Sequence, residues 1–191
     1  MISALVFIVR TVSDLVVLVL LLRFWLPWFR ADFRNPVAQA ILRVTSPLVV
    51  PVRRLVPSIG KLDTATVIVM FAIRYLTNWI LLLIIALGTG MASIGWTAST
   101  LSIALVSLFD LATLSVSLFL IVIFVSIVLS WFAPTTYNPA TAFVRTIAEP
   151  LLRPFRRLIP PLGGIDISPV VPMILLGALR ILLMQWRQYL M

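Results

Sequence analysis

Residues 46–65 read SPLVVPVRRLVPSIGKLDTA, and residues 149–168, lying 103 positions further on, read EPLLRPFRRLIPPLGGIDIS. Aligned without a gap, the two stretches share prolines, leucines, a glycine and an aspartate in the same order, and each holds one Arg-Arg pair. Self-similarity at a fixed spacing indicates that a structural unit is repeated. We call these two stretches the first and second elbow, and we expect each to lie at the centre of one copy of the unit.

The composition of the chain is that of a membrane protein. Of its 191 residues 62% are hydrophobic and 11% are charged, and the mean hydropathy is +1.16. A soluble domain of this length cannot bury so much apolar surface. Four apolar stretches are long enough to cross a hydrocarbon core of about 30 Å. These predicted spans cover residues 2–28, 64–87, 109–132 and 168–188.

The predicted fold is therefore an all-α membrane protein of four transmembrane helices, arranged as two helical-hairpin repeats. The first repeat covers residues 1–90, the second covers residues 109–191, and residues 91–108 form a linker or interfacial segment. Because each repeat contains two spans, both repeats should have the same orientation in the membrane.

Each elbow is preceded by a typical start of a helix. Asn35-Pro36 and Asn138-Pro139 are again 103 positions apart, and asparagine followed by proline suits the first turn of a helix. The residues that follow alternate between an apolar and a polar face, which predicts a short amphipathic helix lying in the membrane interface. In the second copy Arg145 and Glu149 are spaced to pair along this helix. The prolines of the elbow are expected to prevent a long regular helix.

The distribution of arginine predicts the orientation. The chain has a net charge of +9, and its basic residues are concentrated in the segments around the elbows, whereas residues 88–100 contain none. By the positive-inside rule both elbows face the cytoplasm and both termini lie outside. Because these arginines lie among membrane-length apolar runs, the anion that we expect them to meet is lipid phosphate and not nucleic acid.

The side chains that most enzymes use are missing. The chain has no histidine and no cysteine, and its six acidic residues are isolated from one another in the sequence. No spacing suggests a metal site or a catalytic acid and base, and no nucleotide-binding fingerprint is present. We expect no catalysis, no cofactor and no metal.

Six of the charged residues inside the predicted spans are candidate functional residues, because charge within a span is a default hypothesis for function: Arg10, Asp14, Arg74, Asp110, Arg180 and Arg187. Counted from the cytoplasmic ends at 1.5 Å per residue, Asp14 lies about 21 Å deep, Arg180 about 18 Å and Arg74 about 14 Å. These depths predict a mid-membrane group of Asp14 with Arg74 or Arg180.

A second group is expected nearer the outer interface, at about 27–32 Å from the cytoplasmic ends. Here Asp110 could meet Arg10 or Arg187, while Arg10 could also pair with Asp14 on its own helix. Such charges can have one of three roles. They form ion pairs that hold helices together, they line a polar path for ions or water, or they extend to the headgroups. The sequence leaves these alternatives open.

The elbows offer a second set of candidate residues. Arg53 and Arg54, and Arg156 and Arg157 in the second copy, are expected to contact lipid phosphate or a partner protein. An aspartate follows each pair, Asp63 in the first elbow and Asp166 in the second. We expect each aspartate to cap the next span or to turn back to the arginine pair.

The duplicated Asn-Pro start, the Pro-x-Arg-Arg-Leu-[Val/Ile]-Pro pattern and the Gly-x-x-Asp entry into the next span resemble the YggT family of bacterial membrane proteins, which is related to the YlmG proteins of chloroplasts. The resemblance covers nearly the whole chain as two tandem units. One departure is that Thr64-Ala65-Thr66 stands in the first copy where the second keeps Ser168-Pro169.

The resemblance implies a multi-pass protein of the bacterial inner membrane, linked to osmotic-stress tolerance and potassium or ion homeostasis. The chain would be a small transport element or the partner of one. The plastid relatives imply an alternative role, a membrane scaffold or assembly factor that recruits other complexes through its arginine-rich loops. The resemblance implies no catalytic residues, and homo-oligomerisation stays open.

Overall fold

The computed structural model describes residues 2–89, 99–132, 138–158 and 166–190. Within these ranges the chain forms six helices and no sheet. Their bounds are Ile2–Trp25 (α1), Pro36–Arg53 (α2), Thr64–Thr89 (α3), Thr100–Phe132 (α4), Pro139–Leu158 (α5) and Val170–Tyr189 (α6).

Four of the described helices are long and apolar enough to cross a membrane, namely α1, α3, α4 and α6. They alternate with α2 and α5, the shorter helices that lead into the two elbows. The prediction of an all-helical membrane protein with four spans is confirmed.

The two repeats lie side by side in the same sense. In the first repeat α1 packs on α3, in the second α4 packs on α6, and α3 and α4 join the two pairs. The short helices α2 and α5 also contact each other, and the Asn35 side-chain amide donates a hydrogen bond of 2.8 Å to the carbonyl of Pro139. Because this bond joins the beginnings of α2 and α5, both elbows lie at the same end of the helix bundle.

Both short helices begin as their sequences suggest. The side-chain oxygen of Asn35 accepts a hydrogen bond of 2.8 Å from the backbone N–H of Val37, and that of Asn138 accepts one of 3.0 Å from Ala140. The proline that follows each asparagine starts the helix, where a missing N–H costs nothing.

The expectation that the elbow prolines prevent a long regular helix is wrong for the first two prolines of each elbow. Helix α2 continues through Pro47 and Pro51, and α5 continues through Pro150 and Pro154. In each helix the two prolines are four residues apart and exposed on one side, so the carbonyls that they leave unbonded also face outward, where water or headgroups can satisfy them. The arginine pairs therefore lie at the ends of α2 and α5.

Helix α4 is continuous from Thr100 to Phe132. It thus begins nine residues before the span expected at 109–132 and includes residues 100–108 of the expected linker. No charged residue or proline interrupts it before Asp110, which explains why nothing breaks the helix there. The repeat boundary expected at 90–91 and residues 91–98 of the expected linker lie outside the described residues.

The apolar core lies at the end of the helix bundle that carries the elbows. It is built by α1, α3 and α4 together with the buried faces of α2 and α5, and Leu20, Val49, Ile123 and Ile147 are almost fully enclosed there. Aromatic side chains lie at the edge of this core, and the ring of Trp25 in α1 packs there on Phe119 of α4.

Candidate functional site

The first intramembrane charge pair joins α1 to α3. A guanidinium nitrogen of Arg74 donates a hydrogen bond to a carboxylate oxygen of Asp14. The Arg74 side chain is 3% exposed, whereas that of Asp14 is 32% exposed, so the two partners lie in very different surroundings. Of the two partners that the sequence allowed for Asp14 at mid-depth, the structure chooses Arg74.

Polar contacts extend this pair along the same helix interface. The hydroxyl of Thr77, one turn beyond Arg74, lies 2.9 Å from that of Ser13, which precedes Asp14 in α1. Both residues are buried. The interface between α1 and α3 is therefore held by an ion pair and a hydroxyl pair, a typical means of joining helices inside a membrane.

The second intramembrane pair joins α3, α4 and α6. The carboxylate of Asp110 accepts a hydrogen bond of 2.6 Å from Nε of Arg187 and another of 3.1 Å from the side-chain amide of Asn78. The same amide donates to the hydroxyl of Ser107 at 3.0 Å. Asp110, Asn78 and Ser107 are all buried, so this is a closed network with both carboxylate oxygens satisfied.

The two remaining intramembrane arginines belong to neither pair. Arg10 on α1 and Arg180 on α6 are both exposed, and neither has an ion pair with another described residue. Arg180 lies ten residues after the start of α6, which places it about 15 Å along the helix and near the middle of a 30 Å core. The structure thus separates Arg180 from Asp14 and Arg10 from Asp110.

In the first elbow Asp63 performs both roles that the sequence allowed. One carboxylate oxygen accepts hydrogen bonds from the hydroxyl of Thr66 at 2.7 Å and from a guanidinium nitrogen of Arg53, and the other accepts the backbone N–H of Thr66 at 3.3 Å. Asp63 is therefore the N-cap of α3 and also ties the end of α2 to the start of α3.

The charge of Asp63 is stabilised by these contacts. Burial alone would raise the pKa of the Asp63 carboxyl, but the hydrogen bonds from Thr66 and the positive charge of Arg53 outweigh burial and hold the pKa below its usual range. The residue is consequently ionised at neutral pH, as its contact with arginine requires.

The second elbow repeats the arrangement in a more open form. Asp166 accepts hydrogen bonds from the backbone and hydroxyl of Ser168, and from Nε of Arg156 at 2.9 Å. Burial would raise the pKa of the Asp166 carboxyl, but the bonds from Ser168 and Arg156 lower it further than burial raises it. Arg156 also binds Glu149, so the pairing of Glu149 with Arg145 along α5 is not formed.

The remaining elbow arginines, Arg54 and Arg157, are exposed and have no ion pair with another described residue. Arg53 and Arg156, in contrast, are each engaged by the aspartate ten positions later. Each elbow thus has one arginine that closes the elbow and one that faces away from it.

Sequence reasoning missed one buried charge, Arg23. It lies in the last turn of α1, its guanidinium donates a hydrogen bond of 2.8 Å to the hydroxyl of Thr45 in α2, and its Nε lies 3.6 Å from Asp63. An arginine so close to the end of a span is expected to extend to the headgroups. The sequence did contain one signal for this residue. The two copies differ at this position, since the second copy has Ser126 where the first has Arg23.

No group of three or more acidic, histidine or cysteine side chains that could hold a metal ion is found in the described ranges. What the arrangement can do chemically is bind charge. It presents intramembrane arginines on α1 and α6 and further arginines at one end of the bundle.

The family model for CCB3/YggT matches the chain twice, over residues 2–84 and residues 105–187. The two matched segments are again offset by 103 residues. The chain is 36% identical over 168 residues to the uncharacterized protein PA0392 of Pseudomonas aeruginosa, which covers 88% of this chain and 82% of that protein. It is 33% identical over 174 residues to the uncharacterized protein YggT of Escherichia coli K12, covering 91% and 86%.

A shorter similarity reaches a plastid protein. The YlmG homolog protein 2, chloroplastic, of Arabidopsis thaliana is 40% identical over 60 residues, which are 30% of this chain and 22% of that protein. No solved structure matches the chain. The two family matches together cover most of the sequence, and the two bacterial relatives align over more than four fifths of their length. The chain is thus a member of the CCB3/YggT family, with two tandem copies of the family unit.

Proposed function

We propose that this protein is a non-enzymatic component of the bacterial inner membrane that supports ion and osmotic homeostasis by docking onto another membrane protein. The observation that carries the proposal is Arg180, an exposed arginine near the middle of α6. A charge at this depth is costly in lipid unless it meets a counter-charge or a polar group. A transmembrane helix of a partner, with a carboxylate at mid-depth, would satisfy it.

The charges of the chain favour a different protein over a second copy. Its two intramembrane carboxylates, Asp14 and Asp110, are already bound by Arg74 and Arg187. A second copy therefore offers no unpaired carboxylate inside its described spans for Arg180.

The surface around Arg180 suits close helix packing. Gly177 lies one turn before it, and a side chain added at Gly177 would meet no atom within 4 Å. Small residues allow the backbones of membrane helices to approach closely. Helix α6 is also the least covered of the four spans, so a partner helix has free access.

The proposal is tested by photocrosslinking in cells. A photoreactive residue in place of the exposed Met184, one turn after Arg180, is expected to capture a membrane protein with an acidic residue in a span. The same photoreactive residue in place of Leu76, which is exposed on α3, is not expected to capture that protein. The adduct should disappear in Arg180→Leu and persist in Arg10→Leu, which also removes an exposed arginine. An adduct with a second copy of this chain contradicts the proposal. So does an adduct that forms equally well in wild type and in Arg180→Leu.

Growth in hyperosmotic medium tests whether docking through Arg180 supports osmotic homeostasis. Cells whose only copy carries Arg180→Leu should grow as poorly in hyperosmotic medium as cells that lack the gene, while Arg10→Leu cells should grow normally. Wild-type growth of the Arg180→Leu strain would separate docking from osmotic tolerance and refute the connection.

One observation favours a second candidate, a transport element within the chain itself. The carboxylate of Asp14 is one third exposed although its partner Arg74 is enclosed, so a cation could reach it from one side. Purified protein in potassium-loaded vesicles separates the candidates. Potassium flux that is lost in Asp14→Asn supports transport, whereas the docking proposal expects no flux from the protein alone.

The proposal also includes the side of the membrane on which the elbows lie and the anion that their arginines bind. The elbows face the cytoplasm, where Arg54 and Arg157 meet the phosphates of anionic lipids. Cysteines introduced at these two positions should react with a membrane-impermeant thiol reagent only after the cytoplasmic face is opened. Labelling of intact cells would place the elbows on the opposite side.

A further inference from the structure

We propose that the second repeat holds a headgroup pocket for an amine-bearing phospholipid, in the space that an arginine fills in the first repeat. A cavity of about 200 Å³ lies between α4 and α5, and Ser126, Ser130, Arg145, Glu149 and Arg156 are among its lining residues. One water molecule needs only about 10–15 Å³ of such space, so the cavity admits a larger group.

The repeat explains the origin of the cavity. At the constant offset of 103 residues, Ser126 is the counterpart of Arg23, whose guanidinium is packed between α1 and α2. The residues that Arg23 contacts in α2 are Leu42, Thr45 and Ser46. Their counterparts Arg145, Ala148 and Glu149 line the cavity. The cavity is therefore the place of a guanidinium that the second repeat does not supply.

The walls of the cavity accept hydrogen bonds as the first repeat does. In the first repeat the Thr45 hydroxyl donates to the carbonyl of Ile41 at 2.6 Å, so its oxygen is free to accept from Arg23. In the second repeat the hydroxyls of Ser126 and Ser130 donate to backbone carbonyls at 2.8 Å each, which leaves their oxygens as acceptors.

One carboxylate of the lining can accept from a cation, because Arg156 bonds only to Oε2 of Glu149 among the described contacts. Glu149 lines the cavity and replaces the neutral Ser46 of the first repeat, and Asp166 is the counterpart of Asp63 beside Arg23. Arg156 binds both carboxylates and so holds the two sides of the elbow together. A primary ammonium group, with three N–H donors, matches these hydroxyl and carboxylate acceptors.

The mouth of the same cavity offers a site for the phosphate. Arg145 lines the cavity, is exposed, and has no ion pair with any other described residue. Guanidinium binds phosphate oxygens in a bidentate manner. Because the cavity lies between the last turns of a span and an interfacial helix, it is at the level of lipid headgroups. Ammonium inside and phosphate at Arg145 together describe a phosphoethanolamine headgroup.

The pocket is tested with purified full-length protein in detergent, titrated with short-chain phosphatidylethanolamine, phosphatidylcholine and phosphatidylglycerol of the same acyl length. Phosphatidylcholine keeps the charge but has no N–H donor, and phosphatidylglycerol has no amine. We expect the ethanolamine lipid to bind at least about tenfold more tightly than either, since hydrogen bonds to charged groups are lost in both. Equal binding of all three lipids overturns the proposal.

Variants locate the binding in this cavity. Ser126→Arg restores the side chain of the first repeat, and the ethanolamine preference should disappear. Glu149→Gln keeps the shape but removes a charge, and affinity should fall about tenfold. Asp32→Asn removes a charge from an exposed residue outside the cavity, so affinity should be unchanged. If Ser126→Arg does not fold, the test rests on Glu149→Gln and on Ala148→Leu, which fills part of the cavity. If both variants bind the ethanolamine lipid as tightly as wild type, the assignment of the headgroup to this cavity is refuted.

A last arm distinguishes lipid from a soluble metabolite with the same headgroup. Soluble phosphoethanolamine should compete with the lipid only at much higher concentration, because it lacks the acyl chains that reach the bilayer. If it binds as tightly as the short-chain lipid, the ligand is a soluble amine and the lipid assignment is wrong. Neither outcome depends on Arg180, so this proposal and the docking proposal fail separately.

Discussion

The Asp14–Arg74 pair is unequal, and this predicts an unequal response to mutation. Arg74 is 3% exposed and Asp14 is 32% exposed. Asp14→Leu leaves arginine, which cannot lose its charge, enclosed between helices with no counter-charge. Arg74→Met instead leaves a carboxylate that already reaches the surface of the bundle.

The magnitudes follow from this difference. An uncompensated buried charge costs about 3–5 kcal/mol, so Asp14→Leu is expected to lower the free energy of unfolding by that amount. Arg74→Met should cost about 1–3 kcal/mol, the range for an unsatisfied polar group that keeps some access. The double variant should lie within about 1 kcal/mol of wild type, since replacing both charges by apolar groups is often neutral.

The assay is unfolding of the purified protein in mixed micelles with increasing denaturing detergent. Arg10→Met is the matched control, since Arg10 is exposed and has no ion pair with another described residue, and it should change stability by less than about 0.5 kcal/mol. Ordinary hydrogen bonds between membrane helices contribute about 0.6 kcal/mol, so the predicted loss in Asp14→Leu is well separated from that level. Equal losses in both single variants, or additive losses in the double variant, refute the reasoning.

Further outcomes follow from the elbows and caps. The pKa of Asp63 is lower in the folded protein than in the unfolded chain, so its stabilisation is present above the ordinary carboxyl value of about 3.9 and is lost as pH falls below it. Asp63→Asn should therefore cost about 1.5–3 kcal/mol at pH 7 and flatten the acid side of the stability profile. Asp166→Asn should have a smaller effect, because that carboxylate is 41% exposed, and a larger one would contradict this view. Gly60→Ala should destabilise by about 1 kcal/mol through its positive φ of 59°, measured by the same unfolding assay. Asn35→Ala should cost about 1 kcal/mol through loss of the N-cap, and an unchanged stability would show that water replaces it.

Several contacts were missed because they depend on the relative rotation and depth of helices. Asp14 could have met Arg74 or Arg180, and the choice is made by the packing of α1 on α3, which no period in the sequence encodes. Arg23 was missed for a related reason, since its burial requires α2 to lie directly over the end of α1.

The sequence by itself determined the four spans, the duplication and the two capped elbows. Hydrophobic length, helix-start residues and aspartate next to a helix N-terminus act locally, within one or two turns, so they can be read along the chain. Tertiary structure alone decided which charges are enclosed in pairs and which remain on the surface. It also decided that α2 and α5 continue through their prolines, because the exposed side of these helices can leave carbonyls unbonded. The difference between Arg23 and Ser126 is visible in the sequence, but only packing turns it into a cavity in one repeat and a filled site in the other.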